Sequence, residues 1–362
     1  MRLALPLLCA CLLLAGFAWP GAGEALGARL VAPGGASPLL PTARIDQALA
    51  RLPHRDGYVS GSGGVRLYWR TLDPGAWRLD YDYRPDGSER GRMDFALEFT
   101  APETTVQPRG TVLLLHGWMM DGGSLLPWSL QLAQAGYRTI SLDLRNHGRS
   151  GSAPSGYGLR EARDVADAVA ALRERGEIAG PLHVMGVSYG AATAIFAARE
   201  PGLRVDSVVA MESFDNAGRA IRDMVPHLLH KAPESLVQHA THGWLRWRMD
   251  EAALEHAIAT AGARLELPLD RVDVGAALAR VPACVLLLHG REDAHVPVAH
   301  GRALAAAAPQ AHYIEVPGED HISLPMRLDL LAPTVIDWFD NARPGRFCPP
   351  PLALADTVPQ PP

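Results

Sequence analysis

From residue 111 onward the chain alternates short apolar runs with longer amphipathic ones. Residues 111–115 are almost continuously apolar, as in a strand buried on both faces. The spacing then predicts a helix over 124–134, a strand over 139–144, and a helix over 159–175 with Val165, Val169 and Leu172 on one side. A strand follows over 182–187, then a helix over 190–199 that stops before Pro201, then a strand over 205–211. After a long insertion come a strand over 283–288, a helix over 298–307, a strand over 312–316 and a last helix over 332–339. Strand and helix alternating in this way imply an α/β fold, a mostly parallel central sheet with helices on both faces. Upstream, Thr42 can cap a short helix running through Leu52. Runs at 65–71, 77–83 and 93–100 read as antiparallel strands at the edge of a sheet, with Pro85-Asp86-Gly87 as turn chemistry between the second and third.

The ends differ from this pattern. Arg2 precedes a run that is almost wholly apolar from Leu3 to Trp19, slightly short of a comfortable membrane span. Gly23-Glu24-Ala25 then offers a small-x-small cleavage site, so residues 1–25 read as a secretory signal peptide, with an uncleaved anchor as the alternative. Residues 26–56 read as a linker and short helix, 57–342 as the main domain with a helical insertion over 213–280, and 343–362 as a Pro-rich disordered tail. The expected location is the periplasm or the exterior. Cys284 and Cys348 would remain after processing. Two readings stand for them: a disulfide that tethers the tail, or a buried Cys284 with a free Cys348. A net charge of −5 leaves no basic footprint, which speaks against nucleic acid as a partner.

Gly186-Val187-Ser188-Tyr189-Gly190 falls where a buried strand meets a helix. That strand–turn–helix setting is what a nucleophile elbow requires: it strains the serine and lifts its hydroxyl above the sheet. Further segments stand at the ends of other strands. They are His116-Gly117-Trp118, Asp143-Leu144-Arg145-Asn146-His147-Gly148-Arg149-Ser150, His289-Gly290-Arg291-Glu292-Asp293 with Val296-Pro297, and Gly318-Glu319-Asp320-His321. Together with the elbow, and over about 93–339, they resemble the α/β-hydrolase superfamily, serine esterases and lipases included. Asn146 and Asp320 stand where that family usually has glycine. The resemblance implies Ser188 as nucleophile, Asp293 as acid and His321 as base, in the family's order. It also implies an oxyanion hole from the backbone N–H groups of Trp118 and Tyr189.

Elementary chemistry agrees with the triad. A serine hydroxyl needs a base beside it, and that imidazole needs a carboxylate to hold its tautomer. Asp215, after the preceding strand, is the rival acid. His116, His147 and His289 read as loop braces. In the insertion, Trp244, Trp247 and Met249 are candidates for the substrate pocket, with packing onto the core as the alternative. His227/His230 and His239/His242 have a spacing compatible with metal, but no cysteine or carboxylate set completes a site, so neither metal nor cofactor is expected. The expected function is hydrolysis of a small-molecule carboxylic ester through an acyl-enzyme. Alternatives are a peptidase, thioesterase or acyltransferase with the same triad, or a non-catalytic binding protein on the fold.

Overall fold

The structure is a computed structural model and describes residues 22–34, 42–75, 77–84, 91–99, 107–230, 250–342 and 348–354. The apolar run at 3–19, Trp244, Trp247, Met249, His239 and His242 lie outside the described residues.

The chain enters through helices α1 (Ala22–Val31) and α2 (Thr42–Leu49). Strands β1 (His54–Ser60) and β2 (Arg66–Leu72) form an antiparallel pair, while β3 (Trp77–Arg84) and β4 (Arg92–Phe99) make a separate two-stranded sheet. The alternation of strand and helix follows: β5 (Thr111–Leu115), α3 (Leu126–Gln134), β6 (Arg138–Leu142), α4 (Leu159–Glu174), β7 (Leu182–Val187), α5 (Tyr189–Ala197) and β8 (Ser207–Met211). The insertion supplies α6 (Ala217–His230), α7 (Glu251–Arg264) and α8 (Val274–Leu278). The chain then completes β9 (Cys284–Gly290), α9 (Ala299–Ala307), β10 (His312–Val316) and α10 (Leu328–Asn341).

The main sheet has eight strands in the order β1-β2-β6-β5-β7-β8-β9-β10. β2 pairs antiparallel to both β1 and β6, and the remaining neighbours are parallel. All five residues of β5 are buried. Because successive side chains point to opposite faces, Leu113 and Leu115 feed one apolar layer, with Val165, Val169 and Leu172 of α4. Val112 and Leu114 feed the other, with Leu130 and Leu132 of α3 and Trp338 of α10.

Four expectations need correction. The short helix of residues 26–56 is present, but the stretch before it is not all linker: α1 covers Ala22–Val31 with Leu30 buried, and β1 begins at His54 rather than inside a domain starting at 57. A ten-residue helix has little stability of its own, so burial against neighbours decides it. Of the three supposed edge strands, only β2 joins the main sheet. β3 and β4 pair with each other and pack on the helical layer, where Tyr81 donates a hydrogen bond to the Met326 carbonyl at 2.7 Å. Last, the tail is held in part: Cys348 forms a disulfide with Cys284 of β9, and Leu354 packs against the core.

Candidate active site

Ser188 sits between β7 and α5 with φ +54° and ψ −114°, a conformation that non-glycine residues rarely adopt. The turn is tight because strand and helix touch. A Cβ on Gly186 would fall 2.1 Å from the Gly190 carbonyl oxygen, and one on Gly190 would fall 2.1 Å from that of Leu115. Only glycine fits at either place. Ser188 N–H donates to the Met211 carbonyl at 2.8 Å, which ties the elbow to the adjacent strand β8.

The structure brings Ser188, His321 and Asp293 together. His321 Nε2 lies 3.1 Å from Ser188 Oγ, and its Nδ1 lies 2.7 Å from Asp293 Oδ2. The other oxygen of Asp293 accepts the backbone N–H groups of His295 and Val296, each at 2.8 Å. His289 Nε2 stands 3.4 Å from Asp293 Oδ2 and donates to the Val296 carbonyl at 2.8 Å, bracing the acid loop. Burial acts to raise the Asp293 carboxyl. The neighbouring imidazole and the donated hydrogen bonds more than offset it and hold Asp293 well below the usual carboxylate range. The proton on Nδ1 therefore faces a fixed negative charge, and Nε2 is left as an acceptor for the serine proton.

The rival acid Asp215 is engaged elsewhere. It contacts His300 Nδ1 at 2.5 Å and Arg219 at 2.7 Å. The carboxyl that does approach the imidazole is Glu212, which the sequence reading overlooked: its Oε2 is 3.6 Å from His321 Nδ1. The available signal was its position, an acid directly after the buried strand β8.

The supporting loops explain both departures from the family pattern. Asn146 has φ +65°, the left-handed region where glycine is at home and asparagine is tolerated. Its side-chain oxygen also accepts from Ala153 N–H at 3.0 Å. Asp320 turns the histidine loop by accepting the N–H groups of Ile322 and Ser323, at 2.9 and 2.8 Å. His116 links two loops, accepting Leu144 N–H on Nε2 at 3.0 Å with its Nδ1 at 2.8 Å from the Gly117 carbonyl. Burial pushes it down to about 4, so it stays neutral and structural. Asp143 joins the same loops, accepting from Gly122 at 2.7 Å and Arg149 at 2.8 Å.

Of the two residues expected to line an oxyanion hole, Tyr189 opens α5, where a helix leaves its first amides without an internal acceptor. Trp118 follows Gly117, at which an added Cβ would stand 3.8 Å from Ser188 Cβ. The Trp118 ring stacks on Tyr157 at 5.2 Å and meets Tyr189 edge-on at 4.9 Å. Above Ser188 and His321 lies a largely apolar cavity of about 410 Å³. Its walls come from the β5 loop (Trp118, Met119, Met120), from α6 (Met224, Val225, Leu228), from Met326, and from Leu26 and Leu30 of α1. His295 also lines it, stacked on His321 at 5.2 Å between ring centres. The expected pocket residues Trp244, Trp247 and Met249 fall outside the described residues. Of the histidines whose spacing is compatible with metal, His227 packs on His295 at 4.6 Å, and exposed His230 bonds the Pro226 carbonyl at 2.7 Å.

Comparison with known proteins supplies relatives. A family model described as the alpha/beta hydrolase family matches residues 112–333. The uncharacterized protein YqkD of Bacillus subtilis is 25% identical over 235 residues, which cover 64% of this chain and 71% of that protein. A pimeloyl-[acyl-carrier protein] methyl ester esterase of Chromobacterium violaceum is 28% identical over 233 residues, 58% of this chain and 86% of its own. Among solved structures, an esterase of Pyrococcus furiosus superposes with a TM-score of 0.54 at 17% identity, over 80% of this chain and 90% of its own, a likeness of fold.

Proposed function

The chain belongs to the alpha/beta hydrolase family, and from that premise we propose that it is a serine hydrolase that cleaves carboxylic esters of apolar acids. The observation that carries this reading is the continuous relay from Ser188 Oγ through His321 to Asp293, set at the floor of an apolar cavity. Ser188 Oγ attacks the ester carbonyl while His321 Nε2 takes its proton. The oxyanion of the tetrahedral intermediate is met by the N–H groups of Trp118 and Tyr189. Collapse expels the alcohol, which receives the proton from His321 and leaves an acyl-enzyme. A water deprotonated by the same imidazole then frees the acid. The named activity of the Chromobacterium relative, a methyl ester esterase, supports an ester as the scissile bond.

A serine-directed phosphonate probe tests the centre of the reading. It should label Ser188, and Ser188→Ala should abolish labelling and lower turnover at least about a thousandfold. Alongside it, p-nitrophenyl esters of graded chain length should be cleaved faster than matched amides and thioesters. Labelling that survives the substitution would overturn the nucleophile, and faster amide or thioester cleavage would overturn the ester.

We infer also that the protein is exported. The apolar run before Ala25 and the Cys284–Cys348 disulfide support this, since such bonds persist in oxidising compartments. The intact mass of exported protein should correspond to a chain beginning near Leu26 with the cysteine pair oxidised. A mass that retains Met1 in the membrane fraction would favour an anchor instead.

A further inference from the structure

Glu212 is fully buried directly after β8, with φ +55°, and its N–H donates to the Leu288 carbonyl at 2.8 Å. Its carboxyl oxygens have no side-chain hydrogen-bond partner among the described residues, and the Gly290 N–H is the backbone donor beside them. One of them nevertheless stands 3.6 Å from His321 Nδ1, against 2.7 Å for Asp293. A buried carboxyl without a side-chain partner is unfavourable, and an apolar side chain of similar volume would serve packing better. We propose that Glu212 is a positioning residue for His321, a second carboxyl that shares Nδ1 with Asp293 and can take over its orienting role.

The surroundings decide which of the two carries the charge. Asp293 accepts from His321, His295 and Val296, and His289 stands close by. The groups facing Glu212 are Asp293 and the Gly290 amide from the β9 side, and Glu319, Asp320 and His321 from the loop after β10, where Arg327 is paired with Glu319. Two adjacent buried carboxylates cannot both ionise cheaply. Burial first, then the charges of Asp293 and Asp320, push Glu212 well above the usual carboxylate range. Glu212 accordingly holds a proton while Asp293 is ionised. Removing Asp293 lifts the repulsion and leaves Nδ1 without its acceptor. Glu212 can then release its proton to solvent and close on the imidazole.

The inference rests on the roles of Ser188 and His321 proposed above, and phosphonate labelling of the unaltered protein tests those roles separately. Its own test is kcat/KM on a p-nitrophenyl ester from about pH 5.5 to 9.5 for Asp293→Ala, Glu212→Gln and the double variant. Asp293→Ala should lose about 10- to 100-fold at pH 9 and more at pH 6. Its acid limb should lie at least about one pH unit above that of the unaltered protein, because Glu212 must first ionise. Glu212→Gln alone should cost about three- to tenfold. The double variant should lose at least about a thousandfold, with no recovery at high pH, a non-additive result. Glu212→Asp in the Asp293→Ala background, with folding checked by circular dichroism, should also abolish the recovery, since the shorter side chain cannot reach. A double variant equal to Asp293→Ala at every pH would overturn the proposal. The ligand atoms of Glu212, Asp293 and His321 lie within 4.8 Å of one another. Activity lost to EDTA and restored by zinc would therefore also overturn it, in favour of a metal held by the three.

Discussion

Ser188 and Asn146 both occupy backbone conformations with positive φ, yet for different reasons. At Ser188 the strain is imposed by the contact of β7 with α5 and leaves the hydroxyl standing above the sheet. At Asn146 the side chain joins its own loop and offsets the unfavourable backbone locally. Asp143 adds a residue whose burial is a matter of pH. Burial raises its carboxyl to about 6, although the amides of Arg149 and Gly122 and the charge of Arg70 oppose the rise and Asp121 adds to it. In the unfolded chain an aspartate titrates near 3.9. Between those values the folded state binds the proton that the unfolded state releases, so stability is gained as pH falls through about 6 and is absent above it. Asp143→Asn removes this titration. The stability of the unaltered protein relative to the variant should therefore grow by about 2–3 kcal/mol between pH 8 and pH 4. Urea unfolding at the two pH values measures the difference, and a constant gap would sink the assignment.

Among the elements, α1 and α6 contribute walls of the cavity while Leu30 and Val225 also join one face of the layered core. α1 is held by α7, where Gly27 lies close to the Ala257 carbonyl: a Cβ there would stand 3.6 Å away. In this position Leu26 and Leu30 face the cavity that also receives Met224 and Leu228 of α6. Three of the cavity's methionines, Met119, Met120 and Met224, come from such loops and cap elements, and unbranched methionine side chains adapt to varied ligand shapes. α1 should thus set acyl length. Leu30→Trp fills cavity volume, and each excluded methylene in an apolar pocket is worth about 1–3 kcal/mol. On a p-nitrophenyl octanoate the variant should lose about tenfold or more in kcat/KM, while the acetate should stay within about twofold. An unaltered chain-length profile would remove α1 from the acyl site.

For the whole molecule, the strand order matters most. β5 lies between β6 and β7, so successive connections depart to opposite sides and leave a crevice at the carboxyl ends of β5 and β7. Trp118 and Ser188 flank that crevice. Glu212, Asp293 and His321 follow β8, β9 and β10 in turn, so five loops from five neighbouring parallel strands converge on one place. The disulfide fastens the chain beyond α10 to β9 across a separation of 64 residues. In the chain-entropy account, closing such a loop stabilises the fold by about 4 kcal/mol.

The local sequence was enough to determine most of the layered core. Fully buried parallel strands must be apolar along their length, and helices covering them must carry a 3.6-residue stripe, so both periods are written in consecutive residues. The elbow was legible for a related reason: glycine at 186 and 190 is demanded by backbone contact. The three side chains of the proposed triad stood in short motifs at strand ends that resemble those of the hydrolase family. Other features depend on partners far away in the chain, and these only the tertiary structure decided. α1 is a ten-residue helix whose apolar face has meaning only against α7 and the cavity. β3 and β4 look like sheet-edge strands until the helical layer claims them. Asp215 and Glu212 are acids on the same stretch of chain, and either is plausible from sequence. The path after β8 turns Asp215 toward His300 and Glu212 toward His321, and three-dimensional proximity makes that choice.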